Sequence, residues 1–504
     1  MQILVLILVA AVAIESRSPS GLPARPIVAL AVLIGSPLLV LSLQRFLVRS
    51  TLRRLDGQDI RAMKTLQRAE TTSLAVAWVA VLATAVATLG LGWLETVRGL
   101  VGNPPALDEM LAVLPAILAM TAGWWNAEPI ERRIRESSIV RRLDEGLPVT
   151  PTPSRVQFVL ERLRSGILLM LVPILIVVAL GELAVPIVEA RVDAEWRELA
   201  AQGALFACAI ATYLVTPLIA RVILSLRSMP PGELRDDLVA VCASCGVRVR
   251  GILLWDTHYS MVNGAVMGIA APLRYVMLTD ALLELLPRDQ VRAVMAHEIG
   301  HVRRRHLPWM LGALVVLLVA ASYAVDVTIR ESFAAAVGGD APTSFALAAY
   351  HVATQAGVIA AAGLALFGFG WVSRRFERQA DAFAVQYLSR AEGYGAATTR
   401  AVSAMREALL SVAESAGIDP NKSSWRHGSI AWRRRNLERL VDVPLEAFAI
   451  DRVVRRLKIL TLVGLVGVGA LLYLDLRADP VDDPSYDSAR AASSPAPLAA
   501  HLSE

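Results

Sequence analysis

Long apolar stretches constrain this chain of 504 residues more than any other feature of its sequence. Most approach the roughly 20 residues that an α-helix needs to cross a bilayer. Because 55% of all residues are hydrophobic and the mean hydropathy is +0.52, the sequence predicts a polytopic, mainly α-helical membrane protein with up to nine spans. The first stretch is the weakest of the nine, since it is short and lacks a basic segment before it. The stretches cover residues 2–14, 27–43, 71–93, 107–125, 166–188, 203–224, 307–325, 345–371 and 457–474.

The alternation of apolar and polar stretches predicts four regions. Residues 1–225 form an N-terminal transmembrane region of about six spans. Residues 226–456 form a mostly helical domain with a small β-sheet, and a transmembrane hairpin at 307–371 interrupts this domain. Residues 457–474 form the last span, and residues 475–504 read as a disordered tail.

Charged loops predict the orientation in the membrane. The loops 44–70 and 126–165 are rich in arginine, which places them on the cytoplasmic side, whereas the loop 189–202 is acidic or mixed. Because an even number of predicted spans separates these basic loops from the stretches 225–306 and 372–456, both stretches are predicted to face the cytoplasm. Groups on either side of the predicted hairpin are therefore able to meet.

A metal-binding pattern lies in the segment AVMAHEIGHVRRRH, residues 293–306. It places His297, Glu298 and His301 in the order His-Glu-x-x-His on a predicted helix that begins after Pro287. Residues four apart project from one helical face, so both imidazoles can bind one metal ion while Glu298 stands beside the open position. The pattern predicts a zinc-dependent hydrolase in which Glu298 is the general base.

The third protein ligand has to come from elsewhere, because two histidines leave a catalytic zinc site one ligand short. A metzincin would carry Gly and His where this chain has Arg304 and Leu307, and an intramembrane protease would carry its Leu-Asp-Gly element downstream, not at residues 55–57. A glutamate from a later helix remains, and we predict Glu377 as the ligand. Asp381, four residues on, would orient a ligating histidine. Taken alone, this segment also fits a surface helix with i,i+4 charge pairs.

Taken together, the two motifs resemble a family of membrane zinc metallopeptidases, that of HtpX and the type 1 CaaX prenyl proteases. The resemblance covers residues 237 to about 440 and includes a predicted hairpin between the motifs. In that family the second motif has the form S-R-x-x-E-x-x-A-D, which here consists of Ser373, Arg374, Glu377, Ala380 and Asp381.

The resemblance also implies roles for groups outside these motifs. An edge strand that includes Asn263, Gly264 and Ala265 would bind an extended substrate by backbone pairing. His427 and an arginine six residues later, Arg433, would stabilise the oxyanion of the transition state. The adjacent Arg434 and Arg435 leave the choice of arginine open, and this chain has Gly428 where other members often have proline.

The predicted function is therefore that of a zinc-dependent endopeptidase with one Zn²⁺ per chain, over residues 226–456. Its substrates would be membrane or misfolded proteins cut at the cytoplasmic face. One alternative is CaaX-type processing of C-terminally lipidated peptides, and another is a non-catalytic membrane scaffold with a vestigial metal site. A structural zinc site uses four protein ligands and has no use for Glu298, which disfavours the scaffold.

The charge and the cysteine content of the chain limit its possible partners and cross-links. The net charge of +5 comes from arginines in the juxtamembrane loops, where anionic lipid attracts them, so we predict no nucleic-acid partner. Three cysteines exclude a disulfide framework. Cys242 and Cys245 form a C-x-x-C that would suit a redox site or half of a zinc knuckle, but two small buried residues at a helix end are the favoured interpretation. The sequence predicts no oligomeric state.

Overall fold

A computed structural model describes residues 2–17, 24–56, 62–144, 152–258, 261–337, 343–415 and 419–475. The chain falls into two compact units, which are described separately. The first unit comprises Met1–Val302 and Ser403–Asp419, and the second comprises Arg303–Val402 and Pro420–Glu504. The predicted tail beyond residue 475 lies outside the described residues.

The first unit begins with a bundle of long apolar helices. Its core consists of small and large apolar side chains from several of them, such as Leu8, Ala80, Trp93, Ala112 and Phe158. Short π-helical turns at Ala31–Gly35 and Arg164–Leu168 join consecutive helices. The helices are α1 (Gln2–Arg17), α2 (Pro26–Leu30), α3 (Ser36–Asp56), α4 (Ala62–Leu91), α5 (Trp93–Val101), α6 (Leu107–Asp144), α7 (Arg155–Leu163), α8 (Leu169–Glu189) and α9 (Arg197–Ile223).

A small mixed sheet follows this bundle. Its strands are β1 (Arg227–Ser228), β2 (Gly251–Trp255), β3 (Gly264–Met267) and β4 (Tyr275–Thr279), in the spatial order β1-β2-β4-β3. The central pair β2 and β4 is parallel, and β1 and β3 run antiparallel to their neighbours. All five residues of β4 are buried. In the sequence, helix α10 (Glu233–Ser244) lies between β1 and β2, and helices α11 (Asp280–Leu285) and α12 (Arg288–Arg303) follow β4.

The remaining helices complete both units. They are α13 (His306–Val337), α14 (Ser344–Ala391), α15 (Thr399–Ser415), α16 (Ile430–Glu438) and α17 (Ala449–Asp475). Most of α15 belongs to the first unit, where the Ser411 hydroxyl donates to the Gln290 amide oxygen on α12 at 3.2 Å. The helices α13, α14, α16 and α17 belong to the second unit.

A buried polar network connects α13, α14 and α17 in the second unit. His306 stacks on Phe376 and hydrogen-bonds to Gln379 at 2.9 Å. The Gln379 amide in turn donates to Asp451 on α17 at 2.6 Å, and Gln386 donates to the same carboxylate at 3.2 Å. Since buried polar groups need partners, this network fixes the register of the three helices around the segment that includes residue 377.

Within the residues that the structure describes, seven helical segments are long and apolar enough to cross a membrane, which agrees with the predicted multi-pass, mainly helical membrane protein. The predicted stretches 2–14 and 457–474 lie on α1 and α17, which are not among the seven. The division of the chain into four regions stays a prediction. The seven segments are Pro26–Arg53, Thr71–Leu91, Leu107–Arg133, Arg155–Glu189, Ala194–Ile223, His306–Ala336 and Ala356–Ala391.

Candidate metal centre

Helix α12 carries the His-Glu-x-x-His motif and is buried around most of its circumference. Its apolar residues at helical spacing account for this burial, since they include Val291, Val294, Met295 and Ile299. The helix begins at the predicted place, where the Val291 N–H donates to the Pro287 carbonyl at 3.0 Å. Its sequence therefore builds a rigid, water-excluded support for the two histidines.

The two imidazoles of α12 converge. His297 is 7% exposed, and its Nε2 atom lies 3.3 Å from the Nε2 atom of His301. Two nitrogens that bind one tetrahedral zinc ion at about 2.0–2.1 Å stand about 3.3–3.4 Å apart. The spacing of the two Nε2 atoms therefore fits a shared zinc ion, and nitrogen donors of this kind are those that zinc prefers.

The half-buried Glu298 stands next to the sheet, near Gly264 at the start of β3. A Cβ atom placed on Gly264 would lie 3.3 Å from Val294 Cγ1 and 3.8 Å from Glu298 Cγ. Asn263, just before the strand, is tied to Thr279, whose N–H donates to the Asn263 carbonyl at 3.0 Å. The strand thus passes in ordinary contact distance of the motif glutamate, and a larger residue at position 264 would press on Val294 and on Leu278, which lies 3.2 Å from the same Cβ position.

Strand β3 lies at one end of the sheet. Its residues pair with β4 from Gly264↔Leu278 to Met267↔Tyr275, and among the described residues no strand pairs with its other edge. The predicted edge strand is thus observed as β3, which includes Gly264 and Ala265 and begins directly after Asn263. The edge that carries Gly264 and Ala265 has the backbone geometry that accepts an added strand.

In the second unit, α14 places two buried carboxylates one turn apart. Glu377 is 7% exposed and Asp381 is 2% exposed. Arg433 on α16 donates from Nε and Nη2 to the two oxygens of Asp381 at 2.8 and 2.6 Å, a bidentate pair. Its Nη1 atom lies 3.4 Å from Glu377 Oε2. A single guanidinium thus balances both acids and fixes their side chains.

His427 also contacts Glu377, through the other carboxylate oxygen. Its Nδ1 atom lies 3.1 Å from Glu377 Oε1, and 48% of its side chain is exposed. A Nδ1–H that donates to a carboxylate leaves Nε2 facing away from that bond. His427 and Arg433 therefore converge on the same carboxylate, so of the three consecutive arginines the first is the one that shares a partner with His427.

The turn that carries His427 accounts for the glycine at position 428. The Gly428 backbone has a φ angle of 75°, in the left-handed region that favours glycine and that a proline ring forbids. Its N–H donates to the Ser424 carbonyl at 2.9 Å and closes the turn. The glycine at this position is therefore a local backbone requirement.

Arg374 holds this turn on α14, a role that sequence reasoning missed. Its Nη1 atom donates to the Trp425 carbonyl at 2.6 Å. One turn earlier, Gly370 makes room for the same carbonyl, which would lie 2.8 Å from a Cβ atom at that position. The sequence motif does include Arg374. The spacing of the motif residues, however, does not indicate a contact with a partner 51 residues away.

Each unit by itself thus brings together one set of the predicted site residues. His297, Glu298 and His301 share α12 in the first unit, beside the strand that carries Gly264 and Ala265. A second set, consisting of Glu377, Asp381, His427 and Arg433, forms a contact network in the second unit. The predicted role of Asp381 in orienting a histidine stays a prediction, since its described partner is Arg433.

Comparison with known proteins gives several relatives. A protease HtpX homolog of Aeropyrum pernix is 31% identical over 117 residues, which are 23% of this chain and 36% of that protein. A CAAX prenyl protease 1 homolog of Arabidopsis thaliana is 28% identical over 173 residues, which are 34% of this chain and 40% of that protein. The matches therefore span less than half the length of either relative.

A solved structure and a family model add to these matches. The crystal structure of S. mikatae Ste24p aligns with 82% of this chain and 99% of its own, with 16% sequence identity and a TM-score of 0.41. Residues 254–440, which carry both motifs, match the model of peptidase family M48. This stretch of the chain is therefore a peptidase M48 domain, homologous to those of HtpX and CAAX prenyl protease 1.

Proposed function

We propose that this chain is a membrane-embedded, zinc-dependent endopeptidase. The observation that carries the proposal is the 3.3 Å separation of the His297 and His301 Nε2 atoms on a buried helix that also carries Glu298. The model of peptidase family M48 matches the stretch that contains this helix, and two relatives that match part of this chain are named as proteases. The proposal includes one zinc ion per chain.

The proposed zinc ligands are His297, His301 and Glu377. The first two are supported by their convergence on α12, and the third by its burial and by its matching position in the second motif. Arg433 and His427 hold Glu377 in place by its two oxygens, which is the kind of support that metal-ligating carboxylates have. When bound, zinc would supply Lewis-acid polarisation of the scissile carbonyl and activation of the attacking water.

The proposed general base is Glu298. Its carboxylate would accept the proton of the attacking water and then donate it to the departing amine, so that no net proton is consumed in breaking the peptide bond. The buried surroundings of α12 support this role, because exclusion of bulk water strengthens electrostatic interactions at the site.

His427 is the proposed stabiliser of the transition state. Its Nδ1 atom faces Glu377, so in the imidazolium form its Nε2–H is the group that would donate to the developing oxyanion. Arg433 was expected to share this task, but its side chain is 7% exposed and its nitrogens contact Glu377 and Asp381. We therefore propose that Arg433 acts as a positioning residue that orients the two carboxylates.

The edge of β3 is the proposed substrate-binding surface. An extended peptide would pair with the backbone of Asn263, Gly264 and Ala265 as an added strand, next to Glu298. Backbone pairing does not depend on the substrate side chains. This arrangement fits an enzyme that accepts many unfolded segments.

We propose that the substrates are membrane or misfolded proteins and that cleavage takes place at the cytoplasmic face. The basic loops 44–70 and 126–165 support this orientation through the positive-inside rule. CaaX-type processing of a C-terminally lipidated peptide is the second candidate, because some of the relatives are named CAAX prenyl protease 1 homologs. Bilayer lipid is a partner under either proposal.

The central experiment measures bound zinc and casein cleavage in detergent-purified protein. The variants are Glu298→Gln and Glu377→Ala, with Glu407→Gln, an exposed acid on α15, as the matched control. We expect about one zinc per chain in the wild type, retained metal without cleavage in Glu298→Gln, and loss of both in Glu377→Ala. Full zinc in Glu377→Ala would exclude it as a ligand, and cleavage by Glu298→Gln would exclude the proposed base.

Two further measurements test the substrate class and the side of the membrane on which cleavage takes place. A farnesylated peptide and its unlipidated counterpart, offered at equal concentration, separate the two candidates, since only CaaX-type processing requires the lipid. For the face, a cysteine at the exposed Lys422 in a cysteine-free background should react with an impermeant maleimide in inside-out vesicles. Reaction in right-side-out vesicles alone would reverse the proposed topology.

A further inference from the structure

Three carboxylates converge within the bundle of apolar helices, on helices that carry neither peptidase motif. Asp108 and Glu109 lie in the first turn of α6, and Glu182 lies on α8. One ligand oxygen from each of the three lies within 4.8 Å of the others. Asp108 is 0% exposed and Glu109 is 5% exposed, so these groups are withdrawn from water.

Protein donors engage one oxygen of each carboxylate. Arg98 on α5 donates from Nε to Asp108 Oδ2 at 2.7 Å, and its Nη2 atom lies 3.5 Å from Glu109 Oε1. The Ala106 N–H donates to Glu182 Oε2 at 2.8 Å. The second oxygen of Asp108, Oδ1, and that of Glu109, Oε2, are buried without a hydrogen-bond partner.

These unpartnered oxygens lower the stability of the folded protein unless a further group binds them. A buried acceptor without a partner destabilises a protein by about 1–3 kcal/mol, and an ionised one by more. Arg98 supplies one positive charge to the three acids, and it also lies 3.9 Å from Glu95. The group therefore has an excess of negative charge and unused oxygen donors at the ends of candidate membrane spans, where ionised groups require compensation.

We propose that Asp108, Glu109 and Glu182 bind a hard divalent cation of the calcium or magnesium type. The donors are all oxygens, which these ions prefer, whereas the histidine-rich motif on α12 offers nitrogen. A divalent charge would neutralise the excess left after Arg98. Because the ligands come from α6 and α8, the cation would link these two helices, and Arg98 already joins α5 to α6 through Asp108. This site is separate from the proposed zinc site and independent of peptidase function.

A shared proton between Asp108 and Glu109 is the competing explanation. It would satisfy both orphan oxygens with one hydrogen bond and would leave no need for a metal. The two explanations differ in what they predict for added cations. A bound cation gives saturable binding and stabilisation, whereas a shared proton gives neither.

The test uses the full-length protein in detergent, stripped of metal with a chelator and then reloaded with zinc alone. Binding of ⁴⁵Ca²⁺ is measured by equilibrium dialysis, and Mg²⁺ is tested as a competitor. The key variant is Glu182→Gln, which keeps an oxygen acceptor for the Ala106 N–H and therefore preserves that contact. Asp108→Asn is the second variant, and Glu195→Gln, an exposed acid on the loop before α9, is the control.

We expect one calcium ion per chain in the wild type and in Glu195→Gln, and a fall in affinity of at least about tenfold in Glu182→Gln and Asp108→Asn. Calcium should also raise the melting temperature of the wild type but not that of Glu182→Gln. If the wild type binds neither Ca²⁺ nor Mg²⁺ at about 10 mM, above the Kd of weak calcium sites, the shared proton is correct. Equal binding by Glu182→Gln would also overturn the proposal.

Discussion

Replacement of Arg433 by methionine should destabilise the second unit more than any exposed charge change in it. The Arg433 side chain is 7% exposed and that of Asp381 is 3% exposed, and the pair forms two hydrogen bonds of 2.8 and 2.6 Å. Removal of the guanidinium leaves Asp381 buried without its cation and deprives Glu377 of a second contact. Breaking a buried pair in this way costs about 3–5 kcal/mol.

The free energy of unfolding can be measured by titration with SDS in mixed micelles, with helical circular dichroism as the signal. A chelator is present throughout, so that loss of bound metal does not contribute to the difference. The matched control is Arg400→Met, because Arg400 is 79% exposed and lies 3.8 Å from Glu392. An exposed pair of this kind contributes at most about 1 kcal/mol.

A double-mutant cycle separates the ion pair from general damage. Asp381→Leu removes the carboxylate, and the double variant with Arg433→Met removes both charges, so it should lose less than the two single variants added together. We expect a coupling energy of about 1–3 kcal/mol. The reasoning fails if Arg433→Met costs no more than Arg400→Met, or if the two single changes add without coupling.

Three further outcomes follow from local geometry. Gly264→Val should lower peptidase activity at least about tenfold with zinc content unchanged, because its side chain would press on Val294 and Leu278 and displace the strand beside Glu298. Unchanged cleavage kinetics would contradict this. Gly428→Ala should destabilise the turn that carries His427 by about 1–2 kcal/mol, since its φ is 75°, and a chemical denaturation curve identical to the wild type would refute it. Burial raises the pKa of Cys242 to about 11, so this thiol stays protonated at pH 8. It should therefore react with iodoacetamide far more slowly than a free thiol does. Mass spectrometry of the labelled peptide measures this rate, and a rate equal to that of a free thiol would contradict the prediction.

The parts of the structure that the sequence predicts well depend on neighbours in the chain. Apolar runs of about 20 residues indicate spans because a helix must cover the bilayer by itself. The spacing of His297 and His301 similarly predicts two converging imidazoles, since four residues bring side chains to one helical face. In both cases the controlling interaction is local.

The contacts that the sequence does not predict join distant segments. Arg374 is bound to the Trp425 carbonyl, and Glu182 comes within reach of Asp108 across more than 70 residues. No periodicity reports such pairs, because they depend on how helices pack. The strand β2 was also not predicted, because its parallel pairing with β4 joins segments about 24 residues apart in the chain.

The continuity of α14 has a mechanical consequence. Among residues 344–391 the helix has no break, so the apolar segment that begins at Ala356 and the turn that carries Glu377 move as one rod. A change in bilayer thickness, which tilts or shifts a spanning helix, therefore reaches the Glu377 carboxylate without a hinge to absorb it. We expect cleavage rates in reconstituted vesicles to vary with lipid acyl-chain length. The thickness of the bilayer would then regulate the rate of cleavage, in addition to solvating the spanning helices.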